Sequence, residues 1–171
     1  MKEKIFLFVG FFLLLITSRV FSDIPNFTPT LSLIIFASYY FRNLTISSSI
    51  VLLSQIVSDI FIGFYSYIFF VYGSFLVIIY IAPIIMKKLT TMSVLVTSVI
   101  SPSIFFIISN FGVWFAGSLY TKDLNGLIEC YVAGLPFYDE SLLSTILFSY
   151  TIFIIYKLLI TNRILIEKTE K

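Results

Sequence analysis

The chain is 171 residues long, with 59% hydrophobic residues, 12% charged residues and a formal net charge of +2. A soluble domain carries roughly a quarter charged residues and could not bury this much apolar surface, so the composition indicates a protein embedded in lipid. The sequence has no histidine and one cysteine, Cys130, which excludes histidine triads, histidine metal sites and internal disulfides. Because nucleotide-binding, hydrolase and zinc-finger motifs are also absent, we expect no cofactor, no metal, no nucleic-acid partner and no enzymatic activity.

Six apolar segments predict an all-α bundle of six transmembrane helices. A bilayer core about 30 Å thick needs roughly 17–25 apolar residues in a helix. The segments that reach or approach this length are residues 5–21, 28–42, 44–64, 67–86, 93–116 and 142–160. Since no internal repeat or linker separates them, we expect a single integral membrane domain over residues 1–171.

The first segment has two interpretations. Lys2 and Lys4 precede its apolar run, as they would in a secretory signal. No small-residue cleavage site follows, because residues 19–22 read Arg-Val-Phe-Ser. We therefore expect the segment to remain as an uncleaved first helix.

The second segment is too short to cross a bilayer comfortably. Thr28 is a suitable N-cap and Pro29 suits the first helical turn, but only about 15 residues follow before Asn43. We expect residues 23–28 to dip into the membrane and complete the crossing. Irregular backbone at that depth is tolerated only when protein or a wet cavity covers it, so this segment suggests a functional site.

The third segment carries Asp59, a carboxylate that costs about 2.5–3.5 kcal/mol at the centre of a membrane helix. Ser48, Gln55 and Asp59 are seven and four residues apart, so they form one polar stripe that should face the bundle interior. We predict that Asp59 pairs with Arg19, near the end of the first helix, as the charge-compensated lining of a cavity. The alternative is an ion pair that only fastens helices together.

The fifth segment ends with Asn110 and Trp114, which are one helical turn apart and share a face. The stretch that follows, residues 117–141, holds five charged residues and three tyrosines and is longer than an ordinary helix connection. We predict a loop here. It would be either a lid over the mouth of the bundle or a solvated connector with interfacial tyrosines.

The distribution of basic residues orients the bundle. If the N-terminus is cytoplasmic, nine of the 11 lysines and arginines lie on the cytoplasmic side, and only Arg19 and Lys122 lie outside. Basic residues accumulate on the cytoplasmic side of membrane proteins. We therefore predict that both termini are cytoplasmic and that Arg19, Asp59, Asn110 and Trp114 lie in the outer third of the membrane.

Several motifs carry a resemblance to a known family. They are Arg19, PNFTP at 25–29, SD at 58–59 with Gly63, SNFGVW at 109–114, Tyr120, GL at 126–127, CY at 130–131 and LPF at 135–137. With them the chain resembles, over most of its length, a small bacterial integral membrane protein family of unknown function. That family is similar in shape to the substrate-binding S components of energy-coupling-factor vitamin transporters, which are six-helix proteins with a ligand pocket near the outer face.

This resemblance implies an S-component-like fold in the bacterial inner membrane and capture of a small water-soluble metabolite. S components often dock their transporter partner through an AxxxA-type stripe on helix 1. The first helix here offers Gly10 but no such stripe, which argues against energising subunits as partners.

Our leading hypothesis is a membrane-embedded protein that binds and takes up a small molecule. Its outward-facing polar pocket would be lined by Arg19, Asn26, Asp59, Asn110 and Trp114. Arg19 and Asp59 would orient polar ligand groups, and Trp114 would stack or pack. The alternatives are a structural or assembly membrane protein without a ligand and, less favoured, an intramembrane enzyme.

Overall fold

In a computed structural model, the regular structure of the chain is entirely helical among the residues that the structure describes. These are residues 2–22 and 26–169, with side chains described for residues 5–22 and 26–158. The helices are α1 (Lys2–Val20), α2 (Thr30–Phe41), α3 (Leu44–Ile62), α4 (Ile68–Ile85), α5 (Thr91–Ala116) and α6 (Leu124–Thr169). The predicted all-α bundle is confirmed.

The helices have the length and surface of a membrane protein. Four of them, α3, α4, α5 and the part of α6 up to Leu158, are long and apolar enough to cross a membrane, whereas α1 and α2 are apolar but shorter. Large apolar side chains also cover the outside of the bundle. Phe6 and Phe69, for example, are 76% and 82% exposed. A surface of this kind is suited to lipid rather than to water.

Side-chain contacts define the two ends of the bundle. The Arg42 guanidinium donates hydrogen bonds to the carbonyl oxygens of Met86 and Lys87, both at 3.0 Å, so α2 and α4 end side by side. We call this the Arg42 end. Arg19 and Asp59, near the last residues of α1 and α3, meet at the opposite end, which we call the Arg19 end. The positive-inside prediction places the Arg19 end outside the cell.

The second helix starts well inside the bundle. At 1.5 Å per residue α2 is about 18 Å long and α4 about 27 Å long, and the two helices end together at the Arg42 end. The start of α2 is therefore recessed from the Arg19 end, as the short second segment predicted. The N-cap position is Pro29 rather than the predicted Thr28. The Thr28 hydroxyl nevertheless accepts from the Thr30 amide at 3.4 Å and donates to the Thr30 hydroxyl at 2.9 Å. Residues 23–25 of the predicted dipping segment lie outside the described residues.

The predicted loop over residues 117–141 is also wrong. Only residues 117–123 connect α5 to α6, which begins at Leu124 rather than at residue 142. The Tyr131 hydroxyl donates to the Ile107 carbonyl oxygen at 2.7 Å, and the Tyr138 and Ser103 hydroxyls are hydrogen-bonded at 3.0 Å. The first half of α6 therefore packs antiparallel along the second half of α5.

The residues that predicted a loop in this stretch have identifiable roles in the helix instead. Asp123 caps α6, because its Oδ1 accepts a hydrogen bond from the Gly126 amide at 2.8 Å. Gly134 is buried against α5, where a Cβ would collide with Asn110 Oδ1. Asp139 and Glu140 are exposed on the helix surface. Glycines and charges that would suit a loop thus serve a helix cap, a close contact and an exposed face.

Candidate functional site

Two adjacent cavities open at the Arg19 end of the bundle. Their volumes are about 390 Å³ and about 330 Å³. They share five lining residues, which are Asn26, Tyr67, Val71, Phe105 and Ser141. We call the larger cavity the aromatic lobe and the smaller cavity the polar lobe of one recess. Each lobe is within the size range of small-molecule sites.

The aromatic lobe lies between α4, α5 and α6. Its wall includes Phe105, Phe106, Phe137 and Tyr138. The rings of Phe106 and Tyr138 lie 5.0 Å apart, so the side chains of α5 and α6 form a continuous aromatic surface. Most of the lining surface of this lobe is apolar, although Asn26, Ser109 and Asn110 also contribute to it, so the lobe suits a ring or another apolar body.

The polar lobe lies where α1, α3 and the start of α2 meet. Residues that line it and carry polar side chains include Arg19, Thr28, Thr30, Gln55 and Tyr65. They come from three helices and two loops, so the lobe depends on the tertiary arrangement of the bundle.

A buried ion pair organises the polar lobe. Arg19 Nη2 lies 2.6 Å from Asp59 Oδ1, and the two side chains are 19% and 0% exposed. The predicted pairing of Arg19 with Asp59 is therefore present. Asp59 Oδ2 accepts a hydrogen bond from the Tyr72 hydroxyl at 2.6 Å. Both carboxylate oxygens are thus engaged, and Asp59 lies behind Arg19 rather than in the cavity wall.

The guanidinium of Arg19 also reaches the neighbouring polar groups. Nη1 donates to Gln55 Oε1 at 2.7 Å and to the Ser58 hydroxyl at 3.3 Å, and Nη2 donates to the Tyr65 hydroxyl at 3.3 Å. Burial raises the pKa of Tyr65 above its usual value, while the nearby Arg19 opposes that shift. Tyr65 therefore keeps its proton at neutral pH and can act as a hydrogen-bond donor.

One donor in this network is left over. Gln55 is fully buried and lines the polar lobe. Its Nε2 has no hydrogen-bond partner among the residues that the structure describes. Buried polar groups in folded proteins are nearly always paired, so this amide can donate to an acceptor that enters the polar lobe.

Asn26 lies between the two lobes and lines both. Its backbone has a φ of +59°, in the left-handed region that asparagine tolerates better than most residues. Its carbonyl oxygen accepts a hydrogen bond from the Ser144 hydroxyl at 3.3 Å, which ties the start of α2 to α6. The structure thus brings Asn26 together with Arg19, as the sequence predicted.

Of the remaining two predicted site residues, Asn110 lines one of the lobes and Trp114 lines neither. Asn110 lines the aromatic lobe, and its Nδ2 donates to the Phe106 carbonyl oxygen at 2.9 Å. Trp114 is not among the lining residues of either lobe. Its Nε1 donates to the Thr121 carbonyl oxygen at 2.8 Å, and its own carbonyl oxygen accepts from Lys122 Nζ. Through these two hydrogen bonds Trp114 holds the 117–123 connection against the end of α5.

Sequence reasoning missed several residues of the site. The sequence pattern places Gln55 in a polar stripe but does not mark it as a site residue, and it does not single out Tyr65 or Tyr72. The stripe that runs from Ser48 through Gln55 to Asp59 was the available signal for Gln55. Nothing in the local sequence marks Tyr72, whose role depends on the packing of α4 against α3.

The described side chains contain no group of three histidine, cysteine, aspartate or glutamate residues that could hold a metal ion. Cys130 is buried, and its Sγ donates to the Asn110 carbonyl oxygen at 3.4 Å.

Comparison with known proteins gives one match. Residues 1–167 match the model of DUF6580, a family of unknown function, and the chain belongs to this family. Neither a curated protein nor a solved structure matches the chain.

Proposed function

We propose that this member of the DUF6580 family binds a small water-soluble molecule in the recess at the Arg19 end and takes it up across the bacterial inner membrane. The observation that carries the proposal is the unpartnered Nε2 of the buried Gln55 in the wall of a cavity of about 330 Å³. A recess with a few convergent polar groups beside an apolar surface is the usual form of a ligand site.

The resemblance to S components supports the same proposal. Those proteins also have six helices and a ligand pocket near the outer face, and the positive-inside prediction places the Arg19 end outside. The recessed start of α2 is a further parallel with transporters, whose sites often use broken or shortened helices. Energising subunits are not required for the binding step.

A second candidate function is that of a structural or assembly membrane protein without a ligand. The observation in its favour is that the charges of the polar lobe compensate each other internally, since Asp59 is engaged by both Arg19 and Tyr72. Ion pairs and hydrogen bonds of this kind fasten helices to one another in membranes.

Native mass spectrometry separates these two functions. The protein, purified in mild detergent, is incubated with a small-molecule extract of bacterial cells. Binding predicts a stoichiometric added mass on the native chain. The added mass should disappear in Ser141→Phe, which places a ring at a buried position in the wall of both lobes.

The matched control is Leu143→Phe, since Leu143 lies on the same helix but is 60% exposed. It should retain the added mass. Val71→Phe, from the opposite wall of the recess, serves as a second blocking variant if Ser141→Phe does not fold. A wild-type protein that stays empty in the extract, or an added mass that both blocking variants retain, would contradict ligand binding in the recess.

A further inference from the structure

The polar lobe presents hydrogen-bond donors that have no acceptor within the described protein. Gln55 Oε1 accepts from Arg19 Nη1 at 2.7 Å, which fixes the oxygen of this amide toward the guanidinium. The remaining group, Nε2, therefore has two N–H groups without a partner among the described residues. A buried donor without an acceptor is energetically costly, so it favours the binding of a ligand atom that can accept its hydrogen bond.

The start of α2 is a second source of donors in the same lobe. This helix has 12 residues and its N-cap position is Pro29, which provides no side-chain cap. The Thr30 amide donates to the Thr28 hydroxyl at 3.4 Å, whereas the Leu31 amide has no partner among the described residues. Thr30 and Leu31, in its first turn, line the polar lobe. The first amides of a helix point away from its body and carry the positive end of the helix dipole, so they attract a negative group.

No described acidic side chain opposes an anion in this lobe. Its described lining residues include no aspartate or glutamate. Asp59 lies behind Arg19 and has both oxygens engaged. The Tyr65 hydroxyl accepts from Arg19 and keeps its own proton for donation. The donors of three different elements thus converge on one cavity.

The aromatic lobe defines the other part of the ligand. Phe105 lines both lobes, and its ring stacks on that of Phe75 at 5.6 Å, with 7° between the ring planes. Phe106 adds a second ring on the side of the aromatic lobe. These side chains place aromatic rings next to the donor-rich lobe, and a volume of about 390 Å³ accommodates a ring system.

We infer that the recess takes a small monocarboxylate with an apolar ring. The carboxylate accepts hydrogen bonds from Gln55 Nε2 and from the first turn of α2, and the ring occupies the aromatic lobe. This inference rests on the proposed binding function and names the class of molecule that is bound.

Three matched probes test the inference: indole-3-propionate, its primary amide and the corresponding amine. Their affinities are measured by calorimetry on the full chain in mild detergent. The carboxylate should bind about tenfold more tightly than the amide, because hydrogen bonds to a charged acceptor are stronger than those to a neutral one. The amine should bind most weakly, since it meets donors and the positive helix end.

Two variants locate the preference. Gln55→Glu keeps the size of the side chain and an acceptor for Arg19 but replaces the free donor by an oxygen, so it should abolish the preference for the carboxylate. Gln55→Leu removes the donor without adding an acid and should have the same effect if Gln55→Glu does not fold. Phe106→Leu is the control in the aromatic lobe, and it should weaken all three probes by a similar factor.

The possible results distinguish this inference from the proposed function. If the amide or amine binds as tightly as the carboxylate, or if both Gln55 variants keep the carboxylate preference, the inference is overturned while binding stands. A fourth probe, octanoate, carries a carboxylate without a ring; if it binds more tightly than indole-3-propionate, the inference of an apolar ring is overturned. The inference is also overturned, while binding stands, if the protein takes up a ligand from the cell extract but binds neither indole-3-propionate nor octanoate. An empty protein in both extract and probe experiments rejects the binding function itself.

Discussion

The two lobes of the recess have similar volumes but are held in place by different interactions. The polar lobe depends on an ion pair and hydrogen bonds that join α1, α3 and α4 through Arg19, Asp59 and Tyr72. The aromatic lobe depends on the close packing of α5 and α6, which Gly134 permits at Asn110. The polar lobe should therefore be sensitive to the loss of one charge, whereas the aromatic lobe should be sensitive to added volume.

The largest expected effect breaks the charge balance of the polar lobe. Asp59→Asn leaves the Arg19 guanidinium partly buried without a counter-ion, and removal of one partner of a buried pair costs about 3–5 kcal/mol. We expect the free energy of unfolding, measured by denaturant titration in mild detergent, to decrease by an amount that approaches this cost. The matched control, Asp139→Asn, changes an exposed carboxylate and should leave it nearly unchanged.

A double variant sharpens the same test. Arg19→Met together with Asp59→Leu removes both charges, so the bundle should lose less stability than in Asp59→Asn alone. If Asp59→Asn is as stable as Asp139→Asn, the ion pair does not hold the polar lobe, and the contrast between the lobes fails.

The next effect concerns the third member of the network. Tyr72→Phe removes the hydrogen bond of 2.6 Å to Asp59 Oδ2 without changing the ring. Loss of a hydrogen bond to a charged group should lower the free energy of unfolding by about 1.5–3 kcal/mol. Tyr80→Phe, on the same helix but 62% exposed, is the control and should have little effect. Equal stability of the two variants would remove Tyr72 from the network.

The aromatic lobe should respond to volume instead. Gly134→Ala adds a methyl group that would collide with Asn110 Oδ1 and press on the Phe106 ring. Overpacking of a tight contact costs about 1–3 kcal/mol, which should appear as a lower free energy of unfolding. Gly73→Ala is the matched control, because a Cβ there meets nothing within 4 Å, and it should be neutral or slightly stabilising. Should both glycine variants behave alike, packing at Gly134 does not limit the aromatic lobe.

The difference between the two lobes also explains which parts of the fold and the site the sequence could predict. Predicted segments 44–64 and 67–86 correspond to α3 (Leu44–Ile62) and α4 (Ile68–Ile85), since long apolar runs with clear end signals are local features. The pairing of Arg19 with Asp59 was predictable as well, because two charges within apolar helices need partners. The ion pair of the polar lobe is therefore predictable from the sequence, whereas the places of Gln55 and Tyr65 in its wall are not.

The aromatic lobe could not be anticipated in the same way. Gly126, Gly134 and Pro136 are ordinary loop signals, and tertiary contacts such as that of Gly134 with Asn110 accompany the continuation of α6 through this stretch. Such a contact joins residues that are distant in the sequence. Trp114 is the converse case: its spacing from Asn110 predicts a shared face, but its partner is Thr121 in the connection beyond the cavity.

The smallest expected effect concerns the cap of α6, whose first half forms a wall of the aromatic lobe. Asp123 Oδ1 accepts from the Gly126 amide at 2.8 Å and from the Thr121 hydroxyl at 2.9 Å. These hydrogen bonds, the one from Gly126 first, hold the pKa of Asp123 below its usual value. Asp123→Ala should therefore lower the thermal unfolding midpoint slightly at pH 7, whereas Asp139→Ala, which removes an exposed acid that caps no helix, should lower it less.

The pH dependence of this difference identifies its cause. Because the pKa of Asp123 is depressed in the folded protein, its stabilisation is complete above the unfolded-state value of about 4 and is lost as the pH falls through the lower folded value. The midpoints of wild type and Asp123→Ala should thus converge as the buffer is taken from pH 7 toward pH 3. A difference that persists undiminished under acid would mean that the capping carboxylate does not stabilise this wall through its charge, and that packing alone maintains the aromatic lobe.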